Sequence, residues 1–256
     1  MLEHIKKHYE ENEPIFISDL CDFNPNMNIV RKAVKKLTTT GELKRYDTGV
    51  YFMPSDPDAE LDIRMVVERK YLSNQESVFG YTFCGKLADE LKLIYKFPPG
   101  YKQNEFDVVS NKASTEYREL KIGGHNVTLR KSRVEINKEN YKVLQFLDFI
   151  KDLYIEEYKS PQKEVTVMLA EIEKKDNSFR TMQSKKLLLY MLKEDITLES
   201  INKYLEYFNG RVARNLYLLG FLQVPTQKDL LAKFYPDGLD DEILDIINHK
   251  VAQGKL

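Results

Sequence analysis

Between Met27 and Met53 the hydrophobic period of the sequence changes once, and that change leaves few folds open. Val30, Ala33, Val34 and Leu37 recur at helical spacing and form one apolar stripe. Asn24-Pro25-Asn26 precedes the stripe as a turn, and Gly41 follows it as the left-handed residue that ends a helix. From Leu43 the period drops to two. Leu43-Lys44-Arg45-Tyr46 alternates, Asp47-Thr48-Gly49 turns, and Val50-Tyr51-Phe52-Met53 returns. The spacing predicts a helix over 27–39 with a two-stranded hairpin behind it. Upstream, Leu2, Ile5 and Tyr9 give the inner face of a helix within 1–13, and Ser18 can cap a short second helix starting at Asp19. Pro54-Ser55-Asp56-Pro57-Asp58 continues neither helix nor strand and closes a first unit at 1–55.

Helix, short helix, helix, hairpin is the layout of a winged helix-turn-helix. The face opposite the stripe carries Asn28, Arg31, Lys32, Lys35 and Lys36. From Asn24 to Tyr46 six cations stand against one acid, Glu42, a local charge of +5 in a chain whose net charge is -1. Such a patch attracts phosphates whatever the base sequence, and a helix has the width of a major groove. Asn28 and Arg31 are the candidates for base contacts, because Asn pairs bidentately with adenine and Arg with guanine. Lys32, Lys35 and Lys36 are expected on backbone phosphates, with Lys44, Arg45 and Tyr46 at the wing. The competing reading is a solvated helix face on a winged helix that contacts proteins.

A second unit is expected over 59–153. It opens with a helix, Leu61 to Leu72, followed by another, Phe83 to Leu93, and a stop at Pro98-Pro99-Gly100. Strands are predicted at Phe106–Ser110, Tyr117–Ile122 and Val127–Lys131, the last two flanking a turn at Gly123-Gly124, and a small antiparallel sheet should result. A helix from Tyr141 to Leu153 ends the unit. The region 160–256 reads as helical: Ser160-Pro161 makes a helix start, Thr197 caps a helix running to Phe208 with Gly210 as its C′ glycine, and Thr226 caps another. The fold class is therefore α+β and multidomain: an N-terminal winged helix-turn-helix, an α/β middle domain with a small antiparallel sheet, and a helical C-terminal region.

Cys21 and Cys84 match no metal-ligand spacing, so two small buried thiols in a reducing cytoplasm are expected. The charged first 14 residues lack the apolar core of a secretory signal, and no apolar run approaches the roughly 20 residues a bilayer requires. His4 and His8 are four apart on a helix but lack a third ligand, and neither a metal nor a cofactor is expected.

Arg31-Lys32-Ala33-Val34-Lys35-Lys36-Leu37, followed by the stretch Gly41 to Pro54, resembles the N-terminal winged helix of AbiEi-like antitoxins. Phe106 to Lys112, Arg118 to Gly124, Val127 to Lys131 and Ile136 to Asn140 resemble segments of the same group, so the likeness covers about residues 1–153. It implies a regulator from an abortive-infection toxin–antitoxin operon. Such a protein binds inverted repeats in its own promoter, as a monomer or homodimer on the DNA, and counteracts a nucleotidyltransferase toxin. It also implies a second basic surface made by Arg118, Lys121, Arg130, Lys131 and Arg133.

Two alternatives stand beside this one. The first is a winged-helix regulator without a toxin partner. The second is a magnesium-dependent nuclease. Asp107 on one strand and Glu119-Leu120-Lys121 on the next supply two carboxylates for a cation and a lysine for the attacking water, with Glu119 and Lys121 on one face by alternation.

Overall fold

The N-terminal helices and the hairpin follow one another as expected, with an unexpected two-residue strand after the first helix, in a computed structural model that describes residues 1–82, 91, 106–153 and 181–253. Helix α1 (Leu2–His8) is followed by strand β1 (Ile15–Phe16), a 3-10 turn (Ile17–Asp22), helix α2 (Met27–Thr40) and strands β2 (Lys44–Asp47) and β3 (Val50–Phe52). Asn26 starts α2: its side-chain oxygen accepts from the Asn28 backbone N–H at 3.1 Å. Gly41 ends it at φ +86°, where a Cβ would be strained. The short second helix differs from expectation. The strand pairing of Phe16 with Val50 and the bond from Ile17 N–H to the Gly49 carbonyl make the chain turn at Ile17. Ser18 therefore caps nothing, and its hydroxyl donates to Asp19.

The three strands are antiparallel in the order β1-β3-β2. Alternation along β3 sends Tyr51 to one side and Val50 and Phe52 to the other. On Tyr51's side lies a core of Ile5, Leu20, Val30, Val34, Leu43 and Met53. On the other side Phe16, Val50 and Phe52 join Leu61, Ile63, Val66, Tyr71, Val108, Ile122, Val127 and Leu129. Burying each of those large side chains stabilises the unit by roughly 1.5–3 kcal/mol.

Helix α3 (Ile63–Val67) starts behind Asp62, whose carboxylate accepts from the Arg64 N–H, and it widens to a π-helical turn over Glu68–Leu72. Strand β4 (Gly80–Thr82) follows, then β5 (Phe106–Ser110), β6 (Tyr117–Ile122) and β7 (His125–Lys131). The expected antiparallel sheet is instead mixed: β7 pairs antiparallel with β6 and parallel with β5. The cause is the six-residue link between β5 and β6. It is long enough for β6 to lie two strand spacings away, and the returning strand of the hairpin fills the gap.

The described residues fall into two units, one drawn from Met1–Gly80 and Asn104–Ser132, the other from Tyr81–Gln103 and Arg133–Leu256. The break at Pro54–Asp58 thus lies inside the first unit, and the stretch 59–153 is shared between the two. The second unit holds α4 (Tyr141–Asp152), α5 (181–193), α6 (Leu198–Leu205), α7 (Gly210–Leu218), α8 (Gln227–Phe234) and α9 (Asp241–Ala252). Phe146 stacks on Tyr190 and meets the edge of Phe221, both at 6.4 Å. Thr197 caps α6 in a reciprocal pair with Ser200, and Thr226 caps α8. Gly210 is not a C′ glycine. It opens α7 behind Asn209, and α6 stops at Leu205. Asn215 donates to the carbonyls of Ile150 and Leu153 at 2.7 and 2.9 Å, satisfying the end of α4.

Cys21 is exposed rather than buried, and Cys84 lies outside the described residues, as do most of the expected helix Phe83–Leu93 and Ser160-Pro161. Among the described residues no helix is long and apolar enough to cross a membrane.

The two hairpins of the first unit are locked at their tips. The Gly123 N–H donates to the Asp47 carboxylate at 2.9 Å, and a Cβ on Gly123, at φ +56°, would overlap the Tyr46 ring. Gly123→Ala should therefore destabilise the protein by about 1–3 kcal/mol. Urea unfolding followed by circular dichroism should show a lower midpoint at unchanged slope.

Candidate nucleic-acid interface

At about 100° per residue, the exposed positions 28, 29, 31, 32, 35 and 36 of α2 cover an arc of about 160°, opposite Val30 and Val34. Arg31, Lys32, Lys35 and Lys36 are all exposed, and α2 contains no acid. Arg31/Lys35 and Lys32/Lys36 are like-charge pairs four residues apart, each destabilising by about 0.2–0.5 kcal/mol. Among the described residues none of these four cations forms an ion pair, and only Arg31 has a side-chain hydrogen bond, to the Asn28 amide oxygen at 3.3 Å. Asn28 and Arg31, the two base-reading candidates, thus sit together. The last turn closes on itself: the hydroxyls of Thr38, Thr39 and Thr40 donate to the carbonyls of Val34, Lys35 and Lys36. Glu42, the one nearby acid, accepts from Thr40.

Lys44, Arg45 and Tyr46, expected at a wing, separate. Lys44 and Tyr46 share the face of Phe52 and Val50, toward the second core. The Lys44 ammonium donates to the carbonyls of Pro57 and Ala59, the latter at 3.0 Å, and Tyr46 packs against Gly123. Arg45 alone is exposed, donating to the Asp47 carbonyl and to the Thr48 hydroxyl at 3.1 Å.

Of the five cations expected to make a second basic surface, the four on β6 and β7 divide between two faces of the sheet. Lys121 and Arg130 lie on one face of β6–β7, opposite Asn126 and Tyr117 in register. Arg118 and Lys131 project from the other face, that of Leu129. Arg133 belongs to the second unit. There it donates to the buried Asp148 carboxylate at 2.9 Å and covers the Phe208 ring at 4.9 Å. Asp148 also accepts from the Tyr81 hydroxyl at 2.6 Å.

Asp107, Glu119 and Lys121 do share a face, but Thr128 on β7 stands between the two carboxylates, which puts their backbones about 9.5 Å apart. Glu119 accepts from the Tyr117 hydroxyl at 2.6 Å, and that bond raises the phenol's pKa. Among the described residues no three His, Cys, Asp or Glu side chains converge as metal ligands. The His4 and His8 rings lie 4.4 Å apart, with His8 bonded to the His4 carbonyl, and loss of solvent followed by the nearby His8 lowers the pKa of His4.

Two features escaped the sequence reading. One is a groove of about 1020 Å³ lined by Thr38, Gly41, Arg45, Tyr46, Asp56 and His125, among others. It exists because the two hairpins meet, and no local pattern encodes that. The other is Ile29, which stands at 47% exposure on the rim of the basic face. Its phase off the apolar stripe was visible.

No protein-family model and no curated protein matches this chain.

Lys44 binds carbonyls of its own chain, so its charge should serve the fold. Lys44→Met is expected to lower stability by about 1 kcal/mol, partly exposed as the side chain is, and thermal melting checks it.

Proposed function

We propose that the chain binds duplex DNA, with residues 1–55 acting as a winged helix-turn-helix and α2 as the helix that enters the major groove. The observation that supports this most is the acid-free face of α2. Four exposed cations repel each other at helical neighbour positions, and no carboxylate among the described residues relieves them. A polyanion relieves all four at once and releases its own counterions in doing so. Asn28 and Arg31 read base edges, and Lys32, Lys35 and Lys36 hold phosphates.

The resemblance to AbiEi-like antitoxins extends this reading. The protein represses its own promoter at inverted repeats, with two copies on the site, and counteracts a nucleotidyltransferase toxin. Co-expression with a nucleotidyltransferase toxin encoded beside it should restore growth. Growth arrest despite full-length protein would leave a DNA-binding regulator without a toxin partner.

The DNA-binding test is anisotropy on the duplex upstream of the protein's own gene, against a scrambled duplex, across a salt series. Lys35→Ala and Lys36→Ala should each weaken binding to both duplexes and reduce the salt slope by about one. Arg31→Ala should cost about 1–3 kcal/mol, mainly on the upstream duplex. Absence of binding by the wild-type protein at low salt would leave α2 a solvated face. With magnesium present the DNA should stay intact, and cleavage abolished by Glu119→Ala would replace this reading with the nuclease.

A further inference from the structure

Ile29 stands on α2 where core packing does not account for it. It belongs to neither hydrophobic cluster of the first unit, it is 47% exposed, and it lies in the first turn of the helix between Asn28 and Val30. On the helix surface its neighbours toward the C-terminus are Lys32 and Lys36, three and seven residues on. A branched aliphatic side chain thus forms one edge of a cationic face, with Arg31 at the opposite edge. Water gains nothing from it, and a protein partner drawn to this patch would have to be strongly acidic. Duplex DNA offers both complements together: phosphates for the cations and, in the major groove, one apolar group, the C5 methyl of thymine.

We infer that Ile29 is a specificity-determining residue that packs against a thymine methyl in the major groove. The inference rests on the DNA-binding reading above and adds a base to it. Asn28 and Arg31 carry hydrogen-bonding groups suited to adenine and guanine, and Ile29 supplies the apolar contact they lack. The N-terminal end of α2, from Asn28 to Arg31, then distinguishes three bases by three different chemistries, while Lys35 and Lys36, about one turn further on, hold the backbone.

The test deletes the methyl from the DNA and the side chain from the protein, separately and together. Full-length protein is titrated by anisotropy into the upstream duplex made with thymine, and into the same duplex made with deoxyuridine, which lacks only the methyl. Covering one methyl is worth about fourfold in affinity. Wild type should bind the thymine duplex about fourfold or more tightly than the deoxyuridine duplex. Ile29→Ala should bind both alike, at the level of wild type on deoxyuridine, with an unchanged melting temperature because the site is exposed. Equal affinity of wild type for the two duplexes overturns the assignment and leaves DNA binding intact. So does an equal deoxyuridine penalty in wild type and Ile29→Ala, which would place the methyl's effect in DNA shape. Failure of wild type to bind either duplex at low salt overturns both the assignment and the DNA-binding reading.

Discussion

Tyr51 leaves β3 on one side, Val50 and Phe52 leave it on the other, and both sides are covered. On the first side α1 and α2 close a core around Ile5, Val30 and Val34. On the second, α3 and the mixed sheet close another around Val66, Val108 and Leu129. A three-residue strand cannot hold a sheet together through its own hydrogen bonds. Here it does not need to, because its side chains are shared between two cores. The placement of α2 follows from this. Its apolar stripe is pinned to one face of a sheet whose other face is fixed, so its charged side can only point outward.

The same arrangement divides labour among the cations. Lys44 follows the alternation of β2 inward and meets the carbonyls at Pro57 and Ala59, where its charge satisfies the chain's own acceptors. Arg133 is drawn to Asp148. Among the described residues Lys32, Lys35 and Lys36 have no such acceptors, because the buried stripe holds their side of α2 toward solvent. An internal partner makes a lysine a structural element, and the lack of one leaves it for a ligand.

Much of this was readable from the sequence where it depends on local pattern, and most of what was not depends on distant pairings. Periodicity located α2 and the strands β2 and β3, and the hairpin β6–β7 followed from Gly123-Gly124. The caps at Thr197 and Thr226 followed from residue type. Pairings between distant segments were not readable. Nothing near Phe106 says that β7 rather than β6 will lie beside it, so the sheet's mixed character was missed. Proline and aspartate at 54–58 suggested a boundary, and they do interrupt the regular structure. They cannot reveal that Phe52 and Leu61, on either side, enter the same core. Gly210 looked like a helix stop because glycine suits both a C′ position and the start of the next helix. The basic face of α2 was legible because it depends on one helix alone. The dispersal of Arg118, Lys121, Arg130, Lys131 and Arg133 was not, since it depends on strand faces and on a buried aspartate across a loop.

The shared second core also sets an order of events during synthesis. Phe16, Val50 and Phe52 have left the ribosome long before Val127 and Leu129 exist. At ordinary elongation rates the delay over these roughly seventy residues is about 4–15 s. For that interval the face of the first sheet that will become interior is bare, with the aromatic rings of Phe16, Tyr46 and Phe52 among its side chains. The nascent chain must reach residue 129 before its N-terminal part can finish folding. A polypeptide released near residue 55 would carry the basic helix on an uncovered, adhesive sheet.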